Sequence, residues 1–218
     1  MLFDIAAMGV KPRYNLLSSL IVPRPIAWVT TVDDAGRVNA APFSFFNLMS
    51  GTPPVVVLGI GNRDGAPKDT ARNIVATGEF VINLVTTELV DAMNVTAIDF
   101  DAEVDEISEA GLDTAVSHAV APPRIAASPV ALECTFTQAV PLGQGRNVIV
   151  GAVAYAHVRD DIVIDVDRGH IDAARLGVVA RMHGGGWYTT TAPFRLDRIT
   201  LGERRSQASA ADASGAFT

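Results

Sequence analysis

Arg63, Lys68, Asp69 and Thr70 fall within one short stretch, Gly59-Ile-Gly61-Asn-Arg-Asp-Gly65-Ala-Pro-Lys-Asp-Thr, just ahead of residues with helical spacing. Two cations and a hydroxyl at the start of a helix suit a phosphomonoester, because unpaired N–H groups and the positive dipole end there already favour negative charge. Asp69 is a residue type that caps helices; Ala71, Ile74 and Val75 would then face inward, and Gly78 would supply the stop. The same residues also read as solvated loop charges beside a plain cap. The three glycines, with Glu88 further on, match the spacing of a dinucleotide fold. Pro67 and the Asp69 cap, however, start the helix too late for a pyrophosphate to meet it.

A second stretch, Ala41-Pro-Phe-Ser-Phe-Phe-Asn-Leu-Met-Ser50, mixes three rings with Ser44, Asn47 and Ser50. Pro42 withholds a backbone donor, so this is no ordinary central strand. It reads either as a strand that comes apart against a flat ligand or as a half-buried edge strand, with Phe43 and Phe45 on one face and Ser44 and Phe46 on the other. Near the far end, Arg181-Met-His-Gly-Gly-Gly-Trp-Tyr188 is a loop whose glycines permit close backbone approach to a ligand. His118, His157, His170 and His183 are scattered, and the chain has no metal-ligating His pair, nucleophile elbow or Walker loop.

The elements that must position these residues are mostly strands. Pro25 to Val32 is rich in β-branched and aromatic residues and runs into Asp33-Asp34-Ala35-Gly36, a turn composition, so Arg37 to Phe46 returns as a hairpin. Val55 to Ile60 is a continuous apolar run of strand length, and Phe80 to Val85 reads as another buried strand. Thr87 to Val95 reads as a second helix, and the acidic run Asp99 to Asp113 as a solvated connection without chemistry. Pro129 to Gln138 and Asn147 to Val158 pair through Gly143 and Gly145, and the second reads as buried on both faces. Strands joined by turns predict a mainly β protein, an antiparallel Greek-key barrel with a few peripheral α-helices. One domain is expected over 1–201, with a mobile polar tail over 202–218.

Composition narrows the function further. The chain has 218 residues, 49% of them hydrophobic and 19% charged, and a domain of this size buries roughly 70% of its unfolded surface. With 17 basic against 24 acidic residues, a net charge of −7 and no basic run, neither nucleic acid nor an acidic lipid surface is an expected partner. The single cysteine, Cys134, alternates into an apolar strand face and reads as a core residue. Pro54 to Gly61 is too short to cross a bilayer, and Asp4 sits where a signal peptide needs positive charge, so a soluble cytoplasmic protein is expected.

Four blocks together resemble the flavin reductase-like family of FMN-binding split β-barrels: Pro23-Arg-Pro-Ile-Ala-Trp-Val-Thr-Thr, Asn39-Ala-Ala-Pro-Phe-Ser-Phe-Phe-Asn, Lys68-Asp-Thr-Ala-Arg-Asn and Gly78-Glu-Phe-Val-Ile-Asn. The resemblance spans roughly residues 10 to 200. It implies a homodimer that binds FMN and takes electrons from NADH or NADPH, with a monooxygenase as a possible recipient of the reduced flavin. By position it implies Thr30 and Thr31 beside the flavin, Ser44, Phe45, Phe46 and Asn47 along the ring edge with Ser50 assisting, and Arg63, Lys68, Asp69, Thr70 and Asn73 at the phosphate. Tyr188 would belong to a loop closing the pocket. Since a flavin accepts hydride at its own N5, no catalytic acid or base is required of the protein. The alternative reading is a flavoredoxin-like electron carrier that is not reduced directly by a nicotinamide.

Overall fold

The structure, a computed structural model, describes the chain except residues 102–103, 191 and 205–218. Its first strands form the expected hairpin, β1 (Ala27–Val32) and β2 (Val38–Phe43), in register from Val32 opposite Val38 to Ala27 opposite Phe43. Asp33 makes the turn, its Oδ1 accepting the N–H groups of Ala35 and Arg37 at 2.9 Å each, and Gly36 takes a left-handed φ of 79°. A second hairpin joins β3 (Phe46–Gly51) to β4 (Pro54–Arg63). After α2 (Asp69–Thr77) come β5 (Glu79–Asn83) and then the long pair β6 (Val130–Gly143) and β7 (Arg146–Val158).

These strands make one antiparallel sheet in the order β2-β1-β5-β6-β7-β4-β3. Consecutive strands β2 and β3 therefore lie at opposite edges, although only Ser44 and Phe45 separate them in the chain. Two residues cannot cross a flat sheet, since each extends the chain by only about 3.3–3.6 Å, so the sheet is rolled and Ser44–Phe45 bridges the seam. Phe45 O accepts the Gly59 N–H of β4 at 2.7 Å. A Cβ at Gly59 would sit 2.9 Å from Phe45 Cβ, so the glycine lets the corner lie close against β4. The stretch that reads as an unravelling strand is thus two strands and a corner, in an antiparallel Greek-key split barrel. The dinucleotide fold does not survive: Gly59 and Gly61 lie inside β4, opposite Val148 and Arg146 of β7.

Alternation along β1 buries both of its faces. Ala27 and Val29 point into the barrel with Leu58, Ile74, Phe80 and Cys134, while Ile26 and Trp28 join an outer core with Met93, Ile107 and Ile125. That outer core is covered by α3 (Val90–Val95) and α4 (Glu106–Glu109), and the Trp28 indole N–H donates to Thr96 Oγ1 at 2.9 Å. On α2, Ala71 and Ile74 turn inward as expected, but Val75 is 55% exposed. Polar Thr70 and Asn73 hold the remaining inward positions because acceptors and donors await them on β1 and β2. Gly78 ends the helix in the left-handed region.

Several expectations need amending. Asp69 is the first helical residue; Lys68 is the cap and makes no side-chain cap bond. Within one chain β7 is covered only in part, Ala154, Tyr155 and Ala156 being exposed, which leaves the expected second-subunit cover untested there. Residues 201–204 form a helical turn closed by reciprocal Thr200–Glu203 bonds, while the rest of the expected tail lies outside the described residues. Helix α1 (Val10–Leu20) lies ahead of the barrel and buries only Ser18, and no helix among the described residues is long and apolar enough to cross a membrane.

Candidate functional site

Three adjoining hollows run along the outside of the seam. The first, about 80 Å³, lies at the start of α2 between Arg63, Lys68, Thr70, Asn39, Asp99 and Glu106. It shares Pro42, Phe43 and Ala97 with a second hollow of about 280 Å³ that ends at Arg181 and Tyr188. The second shares Tyr14 and Ser44 with a cavity of about 880 Å³ bounded by α1, the Ser44–Asn47 corner and the β6–β7 turn.

The cationic end is built by β4 and α2. Arg63 ends β4 and Lys68 caps α2, so the two charges converge where the first N–H groups of the helix lack intrahelical partners. Both cations are already engaged: Asp99 Oδ1 lies 3.3 Å from Arg63 Nη1 and 3.6 Å from Lys68 Nζ. Asp69 turns aside to pair with Arg72 at 2.5 Å. Asn39 Nδ2 donates to Thr70 Oγ1 at 3.0 Å, fixing the helix start to β2. Burial pushes the Glu106 carboxyl above its ordinary pKa; the Ala40 N–H opposes this, and Asp69 and Asp105 add to it.

The sequence-derived residues divide into three groups. Arg63, Lys68, Asp69 and Thr70 meet at the first hollow. Ser44, Phe45, Phe46 and Asn47 line the large cavity, with Ser44 also facing the middle hollow beside Tyr188. Thr30, Thr31 and Asn73 face none of the three. Both threonines are fully buried, Thr30 Oγ1 donating to Pro123 O and Thr31 Oγ1 accepting from Asn73 Nδ2 at 3.1 Å. Ser50 stands apart on β3, its Oγ accepting the Thr52 N–H at 3.1 Å.

The glycine loop packs on protein. A Cβ at Gly184 would lie 2.9 Å from the Tyr14 ring and 3.2 Å from Ser18 Oγ, so its freedom serves the approach to α1. His183 Nδ1 lies 3.0 Å from Ser19 Oγ, and no His, Cys, Asp and Glu group among the described residues could hold a metal ion. Arg181 stacks over the Tyr188 ring at 4.7 Å and donates to its hydroxyl.

Sequence reasoning missed Asn39, Asp99, Glu106, Tyr14 and Arg24. Asn39 opens a block already singled out, and Arg24, between two prolines ahead of an apolar strand, is a charge in a segment bound for burial. Asp99 and Glu106 were concealed in a run whose charges look uniformly solvated. Arg24 is 5% exposed and donates to the carbonyls of Ser18, Ile21, Met182 and His183. Its Nε lies 3.5 Å from Ser44 Oγ. Burial, and secondarily Arg181, lowers its pKa from the usual value, with Tyr14 opposing; guanidinium nevertheless stays charged.

The chain is thus an antiparallel split barrel with a cation-tipped groove along its seam. The family described as Flavin reductase like domain matches residues 18–170, and the chain belongs to that family. A protein of Deinococcus radiodurans is 43% identical over 211 residues, covering 94% of this chain and 92% of its own. Among solved structures, nitrilotriacetate monooxygenase component B from Bacillus cereus is 30% identical with a TM-score of 0.85, covering 90% of this chain and 98% of its own. Pseudomonas fluorescens 2-nitrobenzoate 2-nitroreductase is 27% identical with a TM-score of 0.84, covering 92% and 98%.

Proposed function

We propose that the protein is an FMN reductase that accepts hydride from NADH or NADPH, acts in the cytoplasm as a homodimer, and hands reduced flavin to a separate monooxygenase. The observation carrying this reading is the continuity of the groove: a cation pair at a helix start opens through Pro42 and Phe43 into an aromatic-walled hollow. A phosphomonoester at one end and a flat ring at the other match that order of chemistry. When bound, FMN supplies the hydride acceptor at N5.

The protein's part is positioning. Lys68 and Arg63 hold the phosphate, with the first N–H groups of α2 and Thr70 beside them. Phe43, Pro42 and Ser44 set the ring along the seam, and Tyr188, fixed by Arg181, bounds its far end. Thr31 and Asn73 support this site from within by fastening α2 to β1, while Thr30 ties β1 to Pro123. Water exclusion at the ring falls to Met93 and Ala97 on the opposite wall. The homodimer is supported by apolar surface around the corner: Leu48 and Met49 on β3 are 60% and 56% exposed, and Leu142 on β6 is 63% exposed. The name of component B of a monooxygenase supports the partner.

The test is anaerobic bleaching of FMN by NADH or NADPH with purified protein. Bleaching by either donor is the expected result. A yellow protein bleached by neither, but reduced by a protein donor, would replace the reductase with an electron carrier.

A further inference from the structure

Three carboxylates line the small hollow assigned to the phosphate, against two cations: Asp69, Asp99 and Glu106 share it with Arg63 and Lys68. The three acids are not equally placed. Asp69 is paired with Arg72, and Asp99 with both Arg63 and Lys68. Half-buried Glu106 has no cationic partner among the described residues, and its Oε2 is met only at 3.4 Å, by the Ala40 N–H of β2. Glu106 also borders a smaller hollow alongside, lined by Asp33, Arg37, Asp69 and Arg72, but both arginines there are spent on the two aspartates. Asp105, next to it on α4, turns its carboxylate to the N–H groups of Ile107 and Ser108. Glu106 is therefore the lining carboxylate to which no positive charge is assigned.

A phosphomonoester is strongly negative at neutral pH and presents acceptor oxygens without a donor. Held by Arg63 and Lys68, it shares the hollow with an ionised Glu106 that has no cation of its own to offset the repulsion, and two acceptors cannot bond each other. A proton on Glu106 removes that repulsion and supplies an O–H donor for a phosphate oxygen. We propose that Glu106 binds the FMN phosphate in its acid form, so that FMN enters together with one proton from solvent. This rests on the flavin reading above and adds a ligand to its phosphate. The free carboxyl is already displaced in the required direction, raised first by burial and further by Asp69 and Asp105, with the Ala40 N–H opposing. Because the bound phosphate keeps on Glu106 a proton that the free protein releases, FMN affinity falls as pH rises between the free and bound pKa values, by up to about tenfold per unit. The second ionisation of the phosphate itself, near about pH 6, acts in the opposite sense and is common to every variant.

The experiment titrates FMN into the full-length protein by calorimetry from about pH 5.5 to about pH 8, in pairs of buffers of different ionisation enthalpy, which counts the protons taken up on binding. The wild type is expected to take up more than Glu106→Gln, by up to one proton, and the difference should vanish when riboflavin replaces FMN. Glu106→Gln, whose amide donates without charge, is expected to bind FMN about tenfold more tightly than wild type at the upper pH, the counterpart of a one-unit pKa shift. Glu106→Ala should abolish the same uptake yet bind FMN more weakly than Glu106→Gln, because the donor is gone. A cooperative thermal melt reports that each variant is folded. Equal uptake by wild type and Glu106→Gln, the same difference with riboflavin, or equal FMN affinity in the Gln and Ala variants would overturn the proposal. Absence of FMN binding by the wild type would instead bring down the flavin reading on which it depends.

Discussion

Replacing Asp99 by Asn is expected to tighten FMN binding, although it deletes both ion pairs Asp99 makes. Its Oδ1 stands 3.3 Å from Arg63 and 3.6 Å from Lys68, where the flavin phosphate would have to lie. At such a distance two unit charges interact by about 5 kcal/mol at an effective dielectric of about 20, and by about 1 kcal/mol in water. Asp99 is 61% exposed and its partners 35% and 39%, which puts each pair near the lower figure or below it. Releasing both cations therefore gives the phosphate about 1 kcal/mol more to work with, or roughly a fivefold lower Kd. Asn keeps the shape of the side chain, so the change isolates charge. Titrating flavin fluorescence against wild type and variant at low salt measures the effect, and raising the salt shrinks it, because screening reaches about 3 Å at 1 M. Unchanged or weaker FMN binding in the low-salt titration would show that Asp99 supports the cradle, and would refute the competition argument.

The opposite change, Lys68→Ala, is expected to loosen FMN by about 1 to 3 kcal/mol, the cost of a charge-assisted bond; equilibrium dialysis measures it, and an unaltered Kd removes Lys68 from the phosphate site. Glu133→Gln is expected to cost about 3 kcal/mol in urea unfolding at neutral pH, because the buried carboxylate accepts from the N–H groups of His118 and Ala119 and from His157. Burial alone would raise the Glu133 pKa, but those hydrogen bonds outweigh it and leave the group below its usual 4.5. The folded state thus holds the proton less readily than the unfolded chain, so Glu133 contributes stability above about pH 4.5 that is lost as pH falls through its folded pKa, and the variant's acid limb should be shallower. Cys134→Ala is expected to leave FMN reduction intact, since burial, and then Glu133, pushes the thiol up to about 12 and keeps it from reacting; a large loss of turnover would contradict its place in the barrel core.

Strand positions were legible because β-branched runs alternate with Asp, Gly and Pro punctuation, and the Asp33–Gly36 turn formed as its composition predicts. What the runs could not reveal was which residue of a doubly buried strand faces a cleft. Thr30 and Thr31 have the right chemistry for a flavin edge, yet their hydroxyls are taken by Pro123 O and Asn73. The cationic hollow was half legible, since Arg63, Lys68 and Thr70 are near neighbours in the chain. Asp99 was not, because its partnership with them depends on how the segment after α3 crosses the start of α2, and no local period encodes that crossing. The seam at Ser44–Phe45 escaped for the same reason: only the strand order makes a two-residue link into a closure.

The family match stops short of both flanks of the groove. The match covers 18–170, whereas Arg13 and Tyr14 precede it and Arg181 and Tyr188 follow it. Arg24 brings the two flanks together, donating to Ser18 and Ile21 at the end of α1 and to Met182 and His183 after the strand Val179–Arg181. An ammonium carries three donors on one atom, so lysine could not reach carbonyls on both flanks as the guanidinium fork does. The barrel thus supplies the cationic hollow, and the two flanks help to wall the hollows beside it. The large cavity is therefore shared: α1 contributes Arg13 and Tyr14 to its wall, the barrel contributes the Ser44–Asn47 corner and Arg146, and Arg24 is buried between them.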